Sequence, residues 1–381
     1  MNTRRKVQGL MAAVMIVSGA VAIAAPQTPK DATIYAKGLN DPRGLRFGPD
    51  GFLYVAEAGL GGSHSTKGKC EQVPAPVGPY TGGKTARISK VSPTGKVSTV
   101  AAGFPSAQDA LGDLVGVADV AFMNGNLYAL IGGGGCSHGN PTQPSGIARV
   151  NTSTGAWTLI ANLSLFIKTH QAKFMSTDDF EPDGTLYSLI AVDGLLYTVE
   201  PNHGQVFSVS AGGNINEVID ISASQGHIVP TSIAARDGNF YVGNLNLFPI
   251  DPQWARVLTL SKDGYNNPAP GFGDGRVNKY HVVDSKAGFT TVVAVDFGPD
   301  GLLYALELSA AEGFPTPGAG KVVRVKRTGA IETVITGLAV PTGMTFGPDN
   351  RLYVSNLGAV PAGGAPPGSG QVLRFDIAPG N

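Results

Sequence analysis

The chain repeats one pattern of apolar and polar positions six times. Three copies are nearly alike: an apolar strand, a Gly-Pro-Asp turn, and a second strand that carries a Tyr, over residues 45–57, 295–307 and 344–356. Three looser copies lead to Tyr128, Tyr197 and Tyr241. A unit that recurs in this way is typical of repeat architectures.

Each copy predicts a β-hairpin, because Pro sets φ before the reversal and Asp-Gly supplies a tight turn. A third strand follows every hairpin, as in residues 86–91 and 371–375. After most of these, a Gly-containing turn leads to a fourth strand, as in residues 96–100 and 331–335. Six units of four antiparallel strands predict an all-β fold, a six-bladed β-propeller.

The two ends of the repeat array support the same fold. The sixth copy stops after its third strand, and residues 33–39 resemble the fourth strands at 99–104 and 333–338. We therefore expect the N-terminal strand to complete the last blade, which leaves no free end in the ring. The rival architecture, a two-domain β-sandwich, predicts neither the six copies nor the orphan strand at each end.

Two insertions interrupt the pattern. Residues 162–174 carry apolar side chains at helical spacing, which predicts a short helix between the second and third blades. Residues 265–274 are rich in Gly, Pro and Asn and predict a long loop in the fourth blade.

Composition agrees with many short strands joined by turns. The chain holds 53 Gly and 27 Pro, and only 15% of its residues are charged. Its apolar fraction of 42% is enough for a real core, which argues against global disorder.

The N-terminus predicts export. Arg4, Arg5 and Lys6 form a basic head, an apolar run follows to about residue 23, and Ala22 and Ala24 are the small residues that a signal peptidase reads. The apolar run is shorter than the roughly 20 residues of a membrane span.

We therefore expect a signal peptide over residues 1–24 and one propeller domain over residues 25–381, with an uncleaved N-terminal anchor as the alternative. No later segment is apolar enough to span a bilayer, so no transmembrane segment is expected in the mature chain. The protein is predicted to be exported, to the periplasm or to the medium.

Charge and cysteine content narrow the partners. The formal net charge is zero and no Lys/Arg cluster follows the predicted signal peptide, so we expect no nucleic-acid partner. The expected partner is a small molecule or an exported protein, and the chain itself is expected to be a monomer. Cys70 and Cys136 lie in equivalent loops of adjacent blades and predict one disulfide, with two free thiols as the alternative.

One polar position recurs three residues after the anchoring Tyr. It is Ile131 in the second copy, and in the other five it is Glu57, Glu200, Asn244, Glu307 and Asn356. Glu and Asn oxygens arranged in a ring suit Ca²⁺ or Mg²⁺, so these five residues are candidate metal ligands. The same side chains can instead accept backbone N–H bonds and tie neighbouring blades together, which is the commoner use of a repeated polar residue.

Four residues near the starts of the hairpins are candidate ligand-binding residues of the central channel: Arg43, Thr231, Asp296 and Thr342. Asp119 lies near the equivalent place and is expected to satisfy a turn. His203 follows the ring position of the third blade, so Glu200 and His203 are the candidate catalytic pair, with a solvated loop histidine as the alternative.

Two other loop features stand out. His64 and His138 lie in loops near the two cysteines. Phe248-Pro249 and Phe314-Pro315 place apolar residues in long connections, either as a hydrophobic wall for a ligand or partner or as loop packing.

Three segments resemble a known family. Residues 41–45 running into 54–59 are similar to the first blade of the ScyD/ScyE-type secreted proteins, residues 229–233 with 241–249 to the fourth, and residues 341–343 with 353–356 to the last. The resemblance covers nearly the whole predicted mature chain and places it among the NHL-like and six-bladed TolB-like propellers. The third blade departs from the pattern, since its Gly-Pro-Asp-Gly phrase is degraded. The resemblance implies a secreted propeller and supplies no catalytic residues to carry over.

Two functions from different classes follow from these patterns. The first is a binding or scaffolding propeller that holds a small molecule or an exported partner. The second is a metal-dependent hydrolase or lyase, in which an ion held by the ring polarises a carbonyl or activates water and Glu200 or His203 moves the proton.

Overall fold

Each repeat of the sequence folds as a hairpin in the computed structural model, which describes residues 28–262, 279–359 and 366–380. In the first repeat the Gly48 N–H donates to Phe52 O at 2.8 Å, and the Tyr54 hydroxyl donates to Asp50 at 3.0 Å. A Cβ on Gly48 would lie 2.6 Å from the Tyr54 ring. The recurring Gly, Asp and Tyr are therefore one structural unit, in which the ring covers the turn and the carboxylate caps the hydroxyl.

The hairpins belong to six antiparallel sheets, which confirms the predicted six-bladed propeller. The N-terminal strand and the first blade contain β1 (Thr33–Leu39), β2 (Pro42–Phe47), β3 (Leu53–Glu57), β4 (His64–Ser65), β5 (Thr81–Val91), β6 (Val97–Gln108) and β7 (Leu114–Val115). The second blade contains β8 (Val117–Met123), β9 (Asn126–Ile131), β10 (Gly146–Val150) and β11 (Trp157–Asn162), and α1 (Leu163–Thr169) follows it. The third contains β12 (Ser188–Val192), β13 (Leu195–Glu200), β14 (Gln205–Ser210) and β15 (Ile215–Asp220), followed by α2 (Ser222–Gln225).

The remaining blades follow the same plan. The fourth contains β16 (Pro230–Arg236), β17 (Asn239–Asn244), β18 (Ala255–Ser261) and β19 (His281–Phe289). The fifth contains β20 (Val292–Phe297), β21 (Leu303–Glu307), β22 (Gly320–Val325) and β23 (Ile331–Leu338). The sixth contains β24 (Gly343–Phe346), β25 (Leu352–Asn356) and β26 (Gly370–Phe375), and β1 pairs antiparallel with β26 in the sheet order β1-β26-β25-β24.

Blade contacts repeat around the ring. In the three nearly identical repeats, the tyrosine ring forms an edge-to-face pair with a phenylalanine of the next blade. The ring centroids are 4.9 Å apart for Tyr54 and Phe122, 5.0 Å for Tyr304 and Phe346, and 4.9 Å for Tyr353 and Phe47. Edge-to-face aromatic pairs add about 0.5–1.5 kcal/mol beyond their buried area. The core is thus spread between neighbouring sheets, and the innermost strands β2, β8, β12, β16, β20 and β24 surround a central channel.

The predicted helix of the first insertion is present as α1, capped by the Asn162 side chain, which accepts from the Leu165 N–H at 2.9 Å. The predicted signal peptide and the predicted loop over residues 265–274 lie outside the described residues. No helix within the described ranges is long and apolar enough to cross a membrane.

Candidate functional site

The central channel contains polar side chains from several blades. The space within it, including the part open to solvent, is about 370 Å³. The residues that line it include Gly44, Arg46, Asp119, Tyr187, Ser188 and Thr342. Of the four residues predicted to bind a ligand there, only Thr342 belongs to this lining. We define the upper face as the end of the channel at which the innermost strand of each blade begins and the second strand ends. Pro42, for example, pairs there with Glu57.

Deep in the channel, one guanidinium lies within electrostatic range of two carboxylates. Burial raises the pKa of Asp119 to about 6, and the positive charge of Arg46 opposes that rise. Burial also raises the pKa of Asp296, again opposed by Arg46. Asp119 Oδ2 accepts the Leu189 N–H of the neighbouring blade at 2.8 Å, so Asp119 ties two blades together as well as lining the channel.

Gly44 is required beside Asp119. A Cβ at position 44 would lie 1.9 Å from Asp119 Oδ1. The absence of a side chain on β2 is what lets the carboxylate of β8 lie against it.

At the upper end of the channel, Arg43 is the centre of a buried charged cluster. Its Nε lies 3.1 Å from Asp41 Oδ1, its Nη2 lies 3.4 Å from Asp113 Oδ1, and Nη2 also donates to Leu114 O. Burial alone would lower the pKa of Arg43, but Asp41 and Asp113 raise it overall, so the guanidinium stays charged.

Tyr187 brings a hydroxyl to the same cluster from the start of the third blade. Burial raises the pKa of Tyr187 to about 12, while the nearby charge of Arg43 and its hydrogen bond to the hydroxyl act in the opposite direction. A guanidinium carries donors only, so Arg43 can interact with the Tyr187 oxygen but cannot accept the Tyr187 O–H. The Asp113 side chain is 44% exposed, so its carboxylate is open to a ligand.

An extension of the first blade stands beside this cluster. Strands β5 and β6 are 11 and 12 residues long, whereas the equivalent strands of the second blade, β10 and β11, have 5 and 6 residues. The Cys70–Cys136 disulfide links this extension to a loop of the second blade, which confirms the predicted bond. Burial first, and the charge of Asp113 second, raise the pKa of Asp109 on the extension to about 6.

Four of the five predicted metal ligands accept hydrogen bonds from their own surroundings, and none of the five lines the channel. Glu57 Oε1 accepts from Arg87 Nε at 2.8 Å and Oε2 from the Asn40 N–H at 2.6 Å. Asn244 Oδ1 accepts the Arg256 N–H at 2.7 Å, and Asn356 Oδ1 accepts the Ala339 N–H at 2.8 Å.

Glu200 and Glu307 occupy the same position of different blades in different surroundings. Glu200 accepts the Thr185 N–H at 3.1 Å and the His203 N–H at 2.6 Å. Neither oxygen of Glu307 has a well-formed hydrogen bond, and Lys321 Nζ lies 3.3 Å from Oε2. Within the described ranges, no group of three or more His, Cys, Asp or Glu side chains could hold a metal ion.

The predicted catalytic pair is in contact but buried. His203 Nδ1 lies 3.0 Å from Glu200 Oε2, and His203 is 2% exposed. Burial alone would raise the pKa of Glu200, but the charge of His203 and the N–H donors lower it overall. This geometry indicates an ion pair that anchors the third blade; the solvated-loop alternative for His203 is wrong.

The hydroxyls of Thr231 and Thr342 hold blades together. Thr231 donates to Val292 O of the next blade, and Thr342 donates to Pro42 O of the first blade at 2.6 Å.

Sequence reasoning missed Tyr187, Asp41 and Asp113 as members of the charged cluster. Tyr187 lies in the third blade, where the repeat is degraded, and Asp113 lies on the extension of the first blade, outside every repeat. The only available signal was Asp41, which precedes Arg43 by two residues within a segment already singled out.

Comparisons with known proteins define the class of this chain as a six-bladed β-propeller. No protein-family model and no curated protein sequence matches it. Among solved structures it is similar to a calcium-binding protein, regucalcin, from Agrobacterium tumefaciens (TM-score 0.53, 14% identity, covering 93% of this chain and 96% of that one). It is also similar to an aldose sugar dehydrogenase from Streptomyces coelicolor (0.52, 14%, 92% and 100%) and a gluconolactonase from Xanthomonas campestris (0.50, 12%, 94% and 94%). At these identities the likeness concerns the fold alone.

Proposed function

We propose that this chain is a hydrolase of small neutral esters or lactones, with its site at the upper end of the channel. The observation that carries the proposal is the position of the Tyr187 hydroxyl, within electrostatic range of the buried Arg43 guanidinium and of the half-exposed carboxylate of Asp113. A donor for a developing oxyanion and a base for water are the two groups that ester hydrolysis needs.

The roles follow from the charges of the three groups. Asp113 takes a proton from a water molecule while the water oxygen attacks the carbonyl carbon of the substrate. The Tyr187 O–H then donates to the oxygen that becomes negative, and Arg43 stabilises the phenol oxygen behind it. When the tetrahedral intermediate collapses, the C–O bond to the leaving group breaks and Asp113 returns the proton to the leaving oxygen. Because the pKa of Tyr187 is about 12, its proton is present throughout the neutral range.

The charge of the site favours a neutral substrate. Asp41 and Asp113 both face Arg43, and Asp109 lies close enough to Asp113 for their charges to interact. Burial raises the pKa of Asp41 well above its ordinary value, so the negative charge of the site comes from Asp113 and, above about pH 6, Asp109. Two carboxylates then outnumber the one guanidinium, and a negatively charged substrate would be repelled. Lactones are the first class to test, since a gluconolactonase has the same fold.

We further propose that the chain is an exported member of the ScyD/ScyE family. The three blade segments that resemble this family support the proposal, and the Cys70–Cys136 disulfide is compatible with an oxidising compartment.

A second candidate function is binding without turnover. Phe248 and Phe314 stack at 6.4 Å, and their exposed fractions are 43% and 69%. Paired exposed aromatic rings favour contact with an exported partner or an apolar ligand.

The test is turnover of p-nitrophenyl esters and δ-lactones by the purified protein. Tyr187→Phe is expected to lower kcat by roughly 10²–10³-fold, the usual cost of losing one oxyanion donor. Asp113→Asn is expected to lower it by about 10²–10⁴-fold. Tyr197→Phe is the matched control, because it makes the same change in the same blade on a ring that packs against Phe240.

Two results would count against the hydrolase. Full activity of Tyr187→Phe would remove the proposed oxyanion donor. Binding of a lactone without any turnover by the wild type would favour the second candidate function.

A further inference from the structure

A segment without regular secondary structure crosses the upper face between α1 and β12. We call residues 171–187 the strap. Along it, alternate residues are anchored to different parts of the propeller. Asp179 Oδ2 lies 2.8 Å from His227 Nε2, Glu181 Oε2 lies 2.9 Å from His138 Nε2, and Asp183 Oδ2 accepts the Ser137 N–H at 2.7 Å.

The anchors continue to the residue of the proposed site. Asp183 Oδ1 accepts from Lys168 Nζ at 2.6 Å, and the Thr185 N–H donates to Glu200 at 3.1 Å. The Tyr187 N–H then donates to Val199 O at 3.3 Å. The position of Tyr187 therefore depends on a chain of contacts that begins at histidine–carboxylate pairs.

His138 is the buried centre of the first part of this chain. Its Nδ1 lies 2.7 Å from Gly134 O, a carbonyl that can only accept, and its Nε2 lies 2.9 Å from the Glu181 carboxylate. The Gly134 carbonyl and the Glu181 carboxylate both offer acceptor oxygens, so these contacts favour the imidazolium form of the ring. Tyr80, on the extension of the first blade, donates to the other Glu181 oxygen at 3.2 Å.

Other charged groups near the histidines act in the same direction. Burial alone would lower the pKa of His138, but Glu181 first and Asp183 among the weaker contributions raise it overall. The same holds for His203, where Glu200 is the largest opposing contribution and Glu181 and Asp179 of the strap add to it. Lys168 faces Asp183 and reduces the negative charge on that side of the strap.

We propose that the strap is a pH-sensitive positioning element, in which His138 and Glu181 hold Tyr187 in place and release it when His138 loses its proton. The role given to Tyr187 rests on the proposed hydrolase, whereas the movement of the strap does not.

The direction of the pH effect follows from the raised pKa of His138. We call the strap closed when His138 and Glu181 are in contact and open when they are not. The ion pair stabilises the closed strap fully below pH 6.5, the ordinary histidine pKa. This stabilisation is lost as the pH rises through the higher pKa that His138 has in the closed form. The ratio of closed to open strap therefore falls by up to about tenfold per pH unit across that interval.

Amide hydrogen exchange of the full chain at pH 6 and pH 8.5 tests the movement. After division by the intrinsic exchange rates, amides of the strap are expected to exchange several-fold faster at pH 8.5. Amides of β13 are the internal reference and should keep the same protection. Equal protection of the strap at both pH values would overturn the proposal, and this comparison needs no variant and no substrate.

Variants then separate positioning from general stability. In His138→Gln, and independently in Glu181→Gln, strap exchange should be fast at both pH values and the pH dependence should vanish. Gln253→Glu, at an exposed position between β17 and β18, is the control and should keep the wild-type pH dependence. If esters are hydrolysed, kcat should fall between pH 6 and 8.5 in the wild type and be flat in His138→Gln. Persistence of the wild-type exchange profile in both strap variants would overturn the assignment to this pair.

Discussion

The two sides of the upper face are held together by different forces. On the side of blades 1–3, a disulfide, the Arg43 cluster and the anchors of the strap join neighbouring blades through covalent and charged contacts. On the side of blades 4–6, neutral contacts such as those from Thr231 to Val292 O and from Thr291 to Ser309 O predominate, and aromatic loops are exposed. Buried charge costs stability unless it is paired, so its concentration on one side supports the proposed location of the site there.

The largest expected effect is the loss of the disulfide on the charged side. The two cysteines are 66 residues apart, and closing a loop of that length stabilises the fold by about 4 kcal/mol. Replacing Cys70 and Cys136 together by Ser should lower the free energy of unfolding by about this amount, as measured in urea. Wild type with a thiol reductant is the control and should behave in the same way. A loss under about 1 kcal/mol would mean that the extension of the first blade is held by its other contacts.

The second prediction compares the same substitution on the two sides. Glu200→Gln should lower the free energy of unfolding by about 2–3 kcal/mol. It removes charge-assisted hydrogen bonds and places the new amide N–H against N–H groups that also need an acceptor. Glu307→Gln should change stability by less than about 1 kcal/mol, because burial raises the pKa of Glu307 more than Lys321 lowers it, so its charge is already costly. Unfolding in urea at pH 7 measures both.

The pH dependence sharpens this comparison. Since the folded pKa of Glu200 is lowered, its contribution is present above the ordinary value of 4.5 and is lost as the pH falls through the lower folded value. The difference between wild type and Glu200→Gln should therefore shrink in acid. For Glu307 the raised pKa acts in the opposite sense, so wild type should gain stability relative to Glu307→Gln as the pH falls. Equal costs for the two variants at pH 7 would contradict the proposed difference between the sides.

The same contrast explains which features could be predicted from the sequence. The six hairpins were predictable because Gly, Asp and Tyr form a local unit within each repeat, and the disulfide because both cysteines lie in equivalent loops. The Arg43–Tyr187 contact joins residues 144 positions apart in the first and third blades. No repeat position relates them, so only the closed ring brings them together. The repeat position does not fix the surroundings of a side chain, because Glu57 and Glu307 share a register but not their neighbours.

The third prediction concerns the exposed aromatic loops. Phe314 is 69% exposed, so Phe314→Ala should change the free energy of unfolding by less than about 0.5 kcal/mol. Phe207→Ala on the charged side is the matched control, because Phe207 is fully buried and its truncation should cost about 3–5 kcal/mol. A cost above 1 kcal/mol for Phe314 would show that its stack on Phe248 is part of the fold and not a free surface.

The smallest expected effect is that of divalent ions. Binding to the folded state at a hundredfold excess over the dissociation constant would add about 2.7 kcal/mol of stability, so a bound metal would be visible in the Tm. We expect no difference between EDTA and millimolar Ca²⁺ or Mg²⁺, because both oxygens of Glu57 and of Glu200 already accept protein donors. Glu307 is the one ring carboxylate without such donors, and Lys321 already supplies its positive charge.

A rise in Tm that Glu307→Gln abolishes and Glu57→Gln leaves intact would place a cation at blade 5 alone. A rise abolished only when both are replaced would instead restore the ring as a metal site.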